Sequence, residues 1–352
     1  MKRFPRYFYA ITAVLCVLAA CSERPRYIQI SGYAQGGTYS VKMNVAGVKE
    51  SPEAIRDAVD SILTLVDTTL SGYNKGSMLS RFNRGEKVVP NALFKDMYSF
   101  SKDWARRSEG ALDVAAGPLF DAWGFGFTTD SLPSAEAVGK ILLTCGMRRL
   151  KDSMDEAVAP DGTLSGADLV LPGNGDTPPR LNYNAVAQGY TCDLVASYLH
   201  SIGVKDMLVD IGEIFCEGVN PSGKPWNVGV DRPYDGNDSP GKDLDGIWEA
   251  PVTPVGIVTS GNYRKFYVKD GRKYSHTIDP RTGYPVTDSL LSATVVAPDA
   301  ATADALATLC MVLGYSGAQS LILSDSTLEG YLIYDSAGTM KEWASPGFKV
   351  SH

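Results

Sequence analysis

The residues best placed to do chemistry run Tyr274-Ser275-His276-Thr277-Ile278-Asp279-Pro280-Arg281-Thr282-Gly283. His276 is one of only three histidines in the chain. Arg272 to Ser275 reads as a strand end. Asp279-Pro280-Arg281-Thr282-Gly283 reads as a turn, because proline fixes φ and glycine accepts φ > 0. His276 then sits at a strand end, with Asp279 and Arg281 beside it. A neutral imidazole there can take a proton from a hydroxyl, and Asp279 could orient it. A histidine that only ties down the turn would leave the same trace. A second pair, Asp304 and Thr308, falls at i and i+4 of a predicted helix and therefore on one face. A carboxylate and a hydroxyl are all-oxygen ligands, which suit Mg²⁺ with its preference for one or two carboxylates, waters and substrate phosphates. An exposed helix start, where Asp favours the dipole, would show the same pair.

These residues need a scaffold, and periodicity supplies one. Tyr27 to Met43 alternates in character and is broken at Gly36-Gly37, which predicts two strands and a tight turn. Ser51-Pro52-Glu53 opens a helix with a serine N-cap and proline at N1, and Ile55, Val59, Ile62, Leu63 and Val66 give it an apolar face. Ser77 to Asn83 reads as a short turn, and Asn91 to Ser108 as a second helix. Gly117 to Gly126, with small residues and one carboxylate, points to a close backbone approach. Ser134 to Gly146 reads as a helix, and Asp152 to Pro179 as strands joined by exposed loops. Leu181 to Tyr190 reads as a short strand turning into a helix that runs to about His200. Strands follow at Met207 to Val219 (two, about Gly212), Trp226 to Val230, Val255 to Ser260, Lys265 to Val268 and Ser292 to Ala297. Tyr234 to Leu244 reads as a polar, mobile insertion. Asp299 opens a helix to Leu313, Tyr331 to Tyr334 is a strand, and Lys341 to Val350 adds an edge. Strands and helices mix without a βαβ rhythm, so the expected fold is α+β, with mixed, largely antiparallel sheets and packed helices.

The composition, 44% hydrophobic and 21% charged, is that of a globular protein with a substantial core. Lys2, Arg3 and Arg6 precede an apolar run from Tyr7 to Ala20, too short to span a membrane. With Leu18-Ala19-Ala20-Cys21 at its end, the run resembles a bacterial lipoprotein signal over residues 1–20, cut before Cys21 and followed by lipidation of that thiol. An ordinary secretory signal ahead of a chance cysteine is the alternative. Residues 21–30 then form an anchor and linker, and 31–352 one domain. Of the six cysteines, Cys16 belongs to the signal and Cys21 to the anchor. Cys145, Cys192, Cys216 and Cys310 lack metal-ligand spacing and allow three full disulfide pairings, among which the sequence does not choose. The net charge is −7, and without Lys2, Arg3 and Arg6 it is −10. With no basic stripe, nucleic acid is not an expected partner. A small molecule or a neighbouring protein is.

Several runs occur in a fixed order. They are Gly37-Thr38-Tyr39, Ser71-x-Tyr73, Leu112-Asp113 with Gly117-Pro118-Leu119 and Trp123-Gly124-Phe125-Gly126, and the Ala185-to-Asp193 segment. Asp210-Ile211-Gly212-Glu213, Thr259-Ser260-Gly261-Asn262-Tyr263, His276-x-x-Asp279-Pro280-Arg281-Thr282-Gly283 and Ala303-Asp304-Ala305-Leu306-Ala307-Thr308 complete the series. Together they resemble the FAD:protein FMN transferase (ApbE-type) family from about Gly36 to Leu313. The resemblance implies an ApbE-like, T-fold-related architecture and a single flavin transferase domain. It implies cleavage of FAD with Mg²⁺, passage of FMN to a Ser or Thr of a partner protein, and release of AMP. The acceptor would carry a Ser/Thr flavinylation motif, as in a redox-pump subunit, and a lipid-anchored enzyme facing the periplasm of the cell envelope fits that partner.

Carried over residue by residue, the resemblance assigns Mg²⁺ to Asp304, Thr308 and the carbonyl of Ala185. It assigns the flavin and its phosphates to Gly36, Tyr73, Ala111, Leu112, Asp113, Asn182, Gln188 and His276. Catalysis falls to His276, with Asp279 beside it. Tyr73 would stack or hydrogen-bond near the ring system, or else be core. Asp113 would meet the adenine or ribose, or else cap a helix at Val114. The chain departs from many members at Gly36, Asn182 and Gln188. Two other uses of the same site remain: hydrolysis of FAD to FMN and AMP, and FAD binding without catalysis by a lipoprotein. Ser292-Ala293-Thr294 faintly resembles an acceptor run, but it lies in a predicted strand and lacks the full motif.

Overall fold

The computed structural model describes residues 24–126, 132–237, 239–264, 266–269 and 272–352. The expected lipoprotein leader, with Cys16 and Cys21, and Lys265 of the expected strand lie outside the described residues. In chain order the strands begin with β1 (Tyr27–Ala34), β2 (Gly37–Asn44), β3 (Met207–Asp210), β4 (Ile214–Glu217), β5 (Asn227–Asp231) and β6 (Leu244–Glu249). Next come β7 (Val255–Gly261), β8 (Phe266–Lys269), β9 (Arg272–Ser275), β10 (Ile278–Asp279) and β11 (Tyr284–Pro285). The last are β12 (Leu290–Ala297), β13 (Glu329–Ser336), β14 (Thr339–Ala344) and β15 (Val350–Ser351). The long helices are α1 (Pro52–Leu70), α2 (Ala92–Arg107), α3 (Ala187–Ser201) and α4 (Ala300–Leu323).

Eight strands form one sheet in the order β1-β2-β3-β4-β7-β12-β13-β14, antiparallel at every step. This is the expected α+β class. The central strand β12 is buried along almost its whole length because both its faces are covered. Val295 packs with the helices, while its neighbour Val296 packs with the small sheet β15-β6-β5 on the opposite face. Trp248, Phe348 and Tyr331 stack between the two sheets. β6, which contributes Trp248, was not expected from the sequence. Its Asp and Gly residues hide the alternation.

α4 is the helix on which the site depends. It is apolar all round because it lies against the sheet on one side and α3 on the other. It is long and apolar enough to cross a membrane by length and composition, but half of the relevant stretch is buried inside the protein. Its first turn is fixed from three directions. Asp299 caps it by accepting from Thr302 N at 2.7 Å. The carboxylate of Asp193 on α3 accepts from Ala300 N at 2.9 Å and Ala301 N at 2.8 Å. Gly256 of β7 lies so close that a Cβ there would stand 2.3 Å from Ala300 Cα. Burial pushes the Asp193 carboxyl up to about 6, against the pull of its two N–H donors.

α4 runs on past the expected end at Leu313 but is broken at Gly314, whose φ of 71° lies in the left-handed region. Asp288 restarts it by accepting from Tyr315 N at 2.8 Å.

Other expectations are corrected. Met78–Asn83 is a short helix capped by Ser77, not a turn. The expected helix at Ser134 to Gly146 ends at Leu142. The Asp-, Gly- and Pro-rich stretch from Asp152 to Pro179 holds no named strand, only bridges such as Val88 to Leu164 and Leu150 to Val170. Its loop is organised instead by the buried Arg149 guanidinium, which donates to the carbonyls of Asn174, Thr177 and Thr144. Leu181 to Tyr183 is extended but unpaired as a strand. The insertion between β5 and β6 is closed by the buried Asn237, which donates to the carbonyls of Arg232 and Asp243. Cys145, Cys192, Cys216 and Cys310 are all buried free thiols, so none of the three disulfide pairings forms.

Candidate active site

A cleft of about 890 Å³ opens beside the first half of α4. Asp304 and Thr308 both line it, as their i, i+4 spacing requires. Facing them are Thr259 and Ser260 of β7 and Glu213 from the β3–β4 turn. Thr308 Oγ1 stands 3.5 Å from Ser260 Oγ, and Asp304 Oδ2 accepts from Gly189 N at 3.0 Å.

Asp304 is only 5% exposed, and no Lys or Arg pairs with it among the described residues. Burial pushes its carboxyl up to about 8, with repulsion from Asp193 adding and the Gly189 N–H opposing. Glu213 is also raised well above its ordinary value, by burial first and then by Asp304 and Asp210, against Arg264 and a backbone hydrogen bond from Thr259. A buried and a half-buried carboxyl group, both raised above the ordinary carboxylate range and set among hydroxyls, form an oxygen-only donor set. That chemistry fits a hard divalent cation such as Mg²⁺.

The close packing that aims Asp304 is testable. A Cβ on Gly189 would stand 2.2 Å from Ala300 O and 2.7 Å from Asp304 Cβ. Gly189→Ala is therefore expected to destabilise the fold by about 1–3 kcal/mol through overpacking between α3 and α4. Urea unfolding checks this; a midpoint equal to the parent's would show that the two helices separate at little cost.

His276 follows β9 and lines the same cleft. Its loop is fastened on both sides. Thr277 Oγ1 donates to Asn262 Oδ1 at 2.8 Å, and Val286 N donates to Thr277 O at 2.9 Å. Trp123 Nε1 donates to Gly283 O at 2.7 Å, and its ring stacks on Tyr274. Gly283 has φ +80°, and a Cβ there would collide with Val138, so the turn admits only glycine. The stretch Trp123 to Gly126 is thus the wall behind the histidine. Phe125 meets His276 edge-on at 6.4 Å and Tyr267 at 5.1 Å.

Most of the sequence candidates come together here. Tyr73, Ala111, Leu112 and Asp113 line the cleft, as do Asn182, Ala185 and Gln188. Tyr73 is 64% exposed, so it is a rim residue and not core. Asp113 does cap the turn at Val114, accepting from Ala115 N, and both its oxygens also accept from Met147 N. Gln188 Nε2 donates to Ile211 O at 3.2 Å.

Two candidates stand apart. Gly36 occupies the β1–β2 turn with φ +83° and open space around it, and it does not line the cleft. Asp279 does not line the cleft either. Its Oδ1 accepts from Arg281 N and Nε and its Oδ2 from Arg281 Nη2, all at 2.9 Å, so its carboxylate serves the turn. Ser292 and Thr294 are buried within β12, which closes them to modification. The sequence reading passed over Glu213 as a cleft group, and over Arg264, Tyr267 and Lys269, which also line it. Arg264 directly follows the Thr259-to-Tyr263 run, and that adjacency was the one available signal.

The family model described as the ApbE family matches residues 35–332. The chain is similar to the FAD:protein FMN transferase of Vibrio cholerae, with 32% identity across 98% of each chain. It is 31% identical to the protein of the same name from Haemophilus influenzae, across 99% of this chain and 98% of that one. Among solved structures, the flavin transferase ApbE from Vibrio cholerae superposes with a TM-score of 0.74 at 30% identity, covering 92% of this chain and 98% of that one. The apo flavinyl transferase ApbE of Pseudomonas stutzeri gives 0.75 at 27% identity, covering 93% and 96%.

Proposed function

The chain belongs to the ApbE family and is a flavin transferase, and we propose that it cleaves FAD with the help of Mg²⁺, attaches FMN to a Ser or Thr hydroxyl of an acceptor protein and releases AMP. The observation that carries this reading is the meeting of Asp304, Thr308 and His276 in one cleft roomy enough for a dinucleotide. Asp304 and Thr308, with the carbonyl of Ala185, would hold Mg²⁺. When bound, the ion neutralises phosphoryl oxygens and orients them.

The chain's own residues do the rest. The aromatic wall of Phe125 and Tyr267 offers ring faces for a planar group, and Tyr73 sits at the rim. His276 takes the proton from the acceptor hydroxyl as its oxygen attacks the phosphorus of the FMN half. The bond to the bridging oxygen breaks, and AMP leaves with the electron pair. The fastened loop of Thr277 and Gly283 keeps the imidazole in place for that transfer.

Incubating the protein with FAD, Mg²⁺ and a candidate acceptor tests the reading. A fluorescent acceptor band with equimolar AMP supports transfer. Free FMN without a band would make the protein a hydrolase, and bound but intact FAD would make it a carrier. We further propose that Cys21 is lipidated after removal of residues 1–20, holding the enzyme at a bacterial membrane and facing the periplasm. The basic n-region, apolar run and Leu18-Ala19-Ala20-Cys21 support this. Mass spectrometry of the membrane-extracted N-terminal peptide decides it.

A further inference from the structure

We propose that Arg264 is a direct contact of the FAD diphosphate, and that the insertion between β5 and β6 is the frame that holds it there; this rests on the transferase reading above. Arg264 lines the cleft just beyond β7, whose Thr259 and Ser260 face Asp304 and Thr308. Its guanidinium is braced by Asp231 and Asn237, which do not line the cleft, and by Tyr263, which does. Nη2 pairs with Asp231 Oδ2, Nε donates to Asn237 O at 3.3 Å, and the group lies over the Tyr263 ring at 5.0 Å. Asp231 ends β5, and its other oxygen accepts from Gly241 N at 2.8 Å. One anchor is thus the last residue of β5 and the other, Asn237, lies in the insertion that follows it.

Guanidinium has five N–H donors in a planar fork. Two of its nitrogens are engaged, and Nη1 has no protein partner among the described residues. An arginine held at one end with donors to spare is preorganised for an anion, and its fork matches phosphate oxygens. The charges in the cleft point the same way. Asp113, Glu213 and Asp304 are carboxyl groups, and only Arg264 and Lys269 are cationic side chains among the described lining residues. Both are exposed, but Arg264 is held by Asp231 and Asn237 while Lys269 sits on the β8–β9 hairpin.

In the transfer step the acceptor oxygen bonds to the FMN phosphorus. The bond to the bridging oxygen breaks, its electron pair collects on the departing AMP phosphate, and the acceptor proton goes to His276. Arg264 meets the charge gathered on the departing phosphate. Removal of such a positioned cation costs about 10²–10³ in rate.

The test compares the full chain with Arg264→Gln, Arg264→Ala and Arg264→Lys. FAD, which carries the diphosphate, and riboflavin, which carries none, are titrated separately. Arg264→Gln is expected to weaken FAD by about tenfold or more, as loss of one charge-assisted hydrogen bond does, and to leave riboflavin unchanged. FMN transfer should fall about 10²-fold or more, and added guanidinium ion should restore part of it in Arg264→Ala. Arg264→Lys keeps a charge for Asp231 and guards against misfolding. It too is expected to bind FAD less well than the parent, because the fork is lost. Equal weakening of FAD and riboflavin, or transfer at the parental rate, would overturn the proposal. A parental protein that transfers no FMN would count against the reaction itself, while the binding comparison would still decide Arg264.

Discussion

Asp304→Asn will lower Mg²⁺-dependent FMN transfer by about 10³-fold or more, because it removes the one carboxylate of the helix-borne pair while keeping its volume. The variant should nevertheless fold at least as well as the parent when metal is absent. The Asp304 carboxyl is buried and pushed up to about 8 in the metal-free protein. A carboxyl whose pKa is raised by folding adds stability that is complete below its unfolded value of about 4 and disappears as pH climbs through about 8. The parent therefore loses this contribution between pH 4 and 8, and an asparagine has none to lose. Thermal melts in chelator at pH 5 and pH 8 should show a smaller drop for Asp304→Asn than for the parent. The pairing of lost activity with retained or improved stability is the signature of a group placed for a ligand and not for the fold. Transfer at the parental rate by Asp304→Asn would remove the metal assignment.

His276→Ala is expected to reduce transfer by about 10²–10⁴-fold, the usual range for loss of a general base. FAD affinity should change much less, since the aromatic wall and the polar groups around Asp304 remain. Phe125 loses one edge contact. The loop keeps its ties through Thr277 and Trp123, so a folding defect is not expected. Single-turnover transfer and FAD titration, done side by side, separate the two effects. An equal loss in both would make His276 a binding residue.

How much of this was legible in the sequence depended on where each signal lay. Asp304 and Thr308 declared themselves because helical spacing converts directly into a shared face. His276 did so because Pro280 and Gly283 mark a turn with local chemistry. Ser51, Asn91 and Asp299 announced helix starts for the same reason: capping is settled within three residues. Long-range placement was not legible in that way. Nothing local shows that Glu213 faces Asp304, since their meeting depends on β4 pairing with β7. Asp279 looked like a partner for His276 by proximity in sequence, yet both its oxygens accept from the Arg281 guanidinium. Asp152 to Pro179 was misread because Asp, Gly and Pro report loops but not what closes them, and Arg149 closes these from outside the stretch. The family resemblance covered these gaps for the site as a set, but it did not explain which member of the set touches which.

The break at Gly314 has one more consequence. An unbroken rod would carry any sideways strain at its far end back to the donors near its start. Two rods meeting at a bend, each with its own carboxylate cap at Asp299 and Asp288, do not transmit such a load. Exposed positions of the second rod, such as Leu323 at 57% exposure, can therefore vary without turning Asp304 and Thr308, whereas Ala318 and Ile322 remain tied to the shared core.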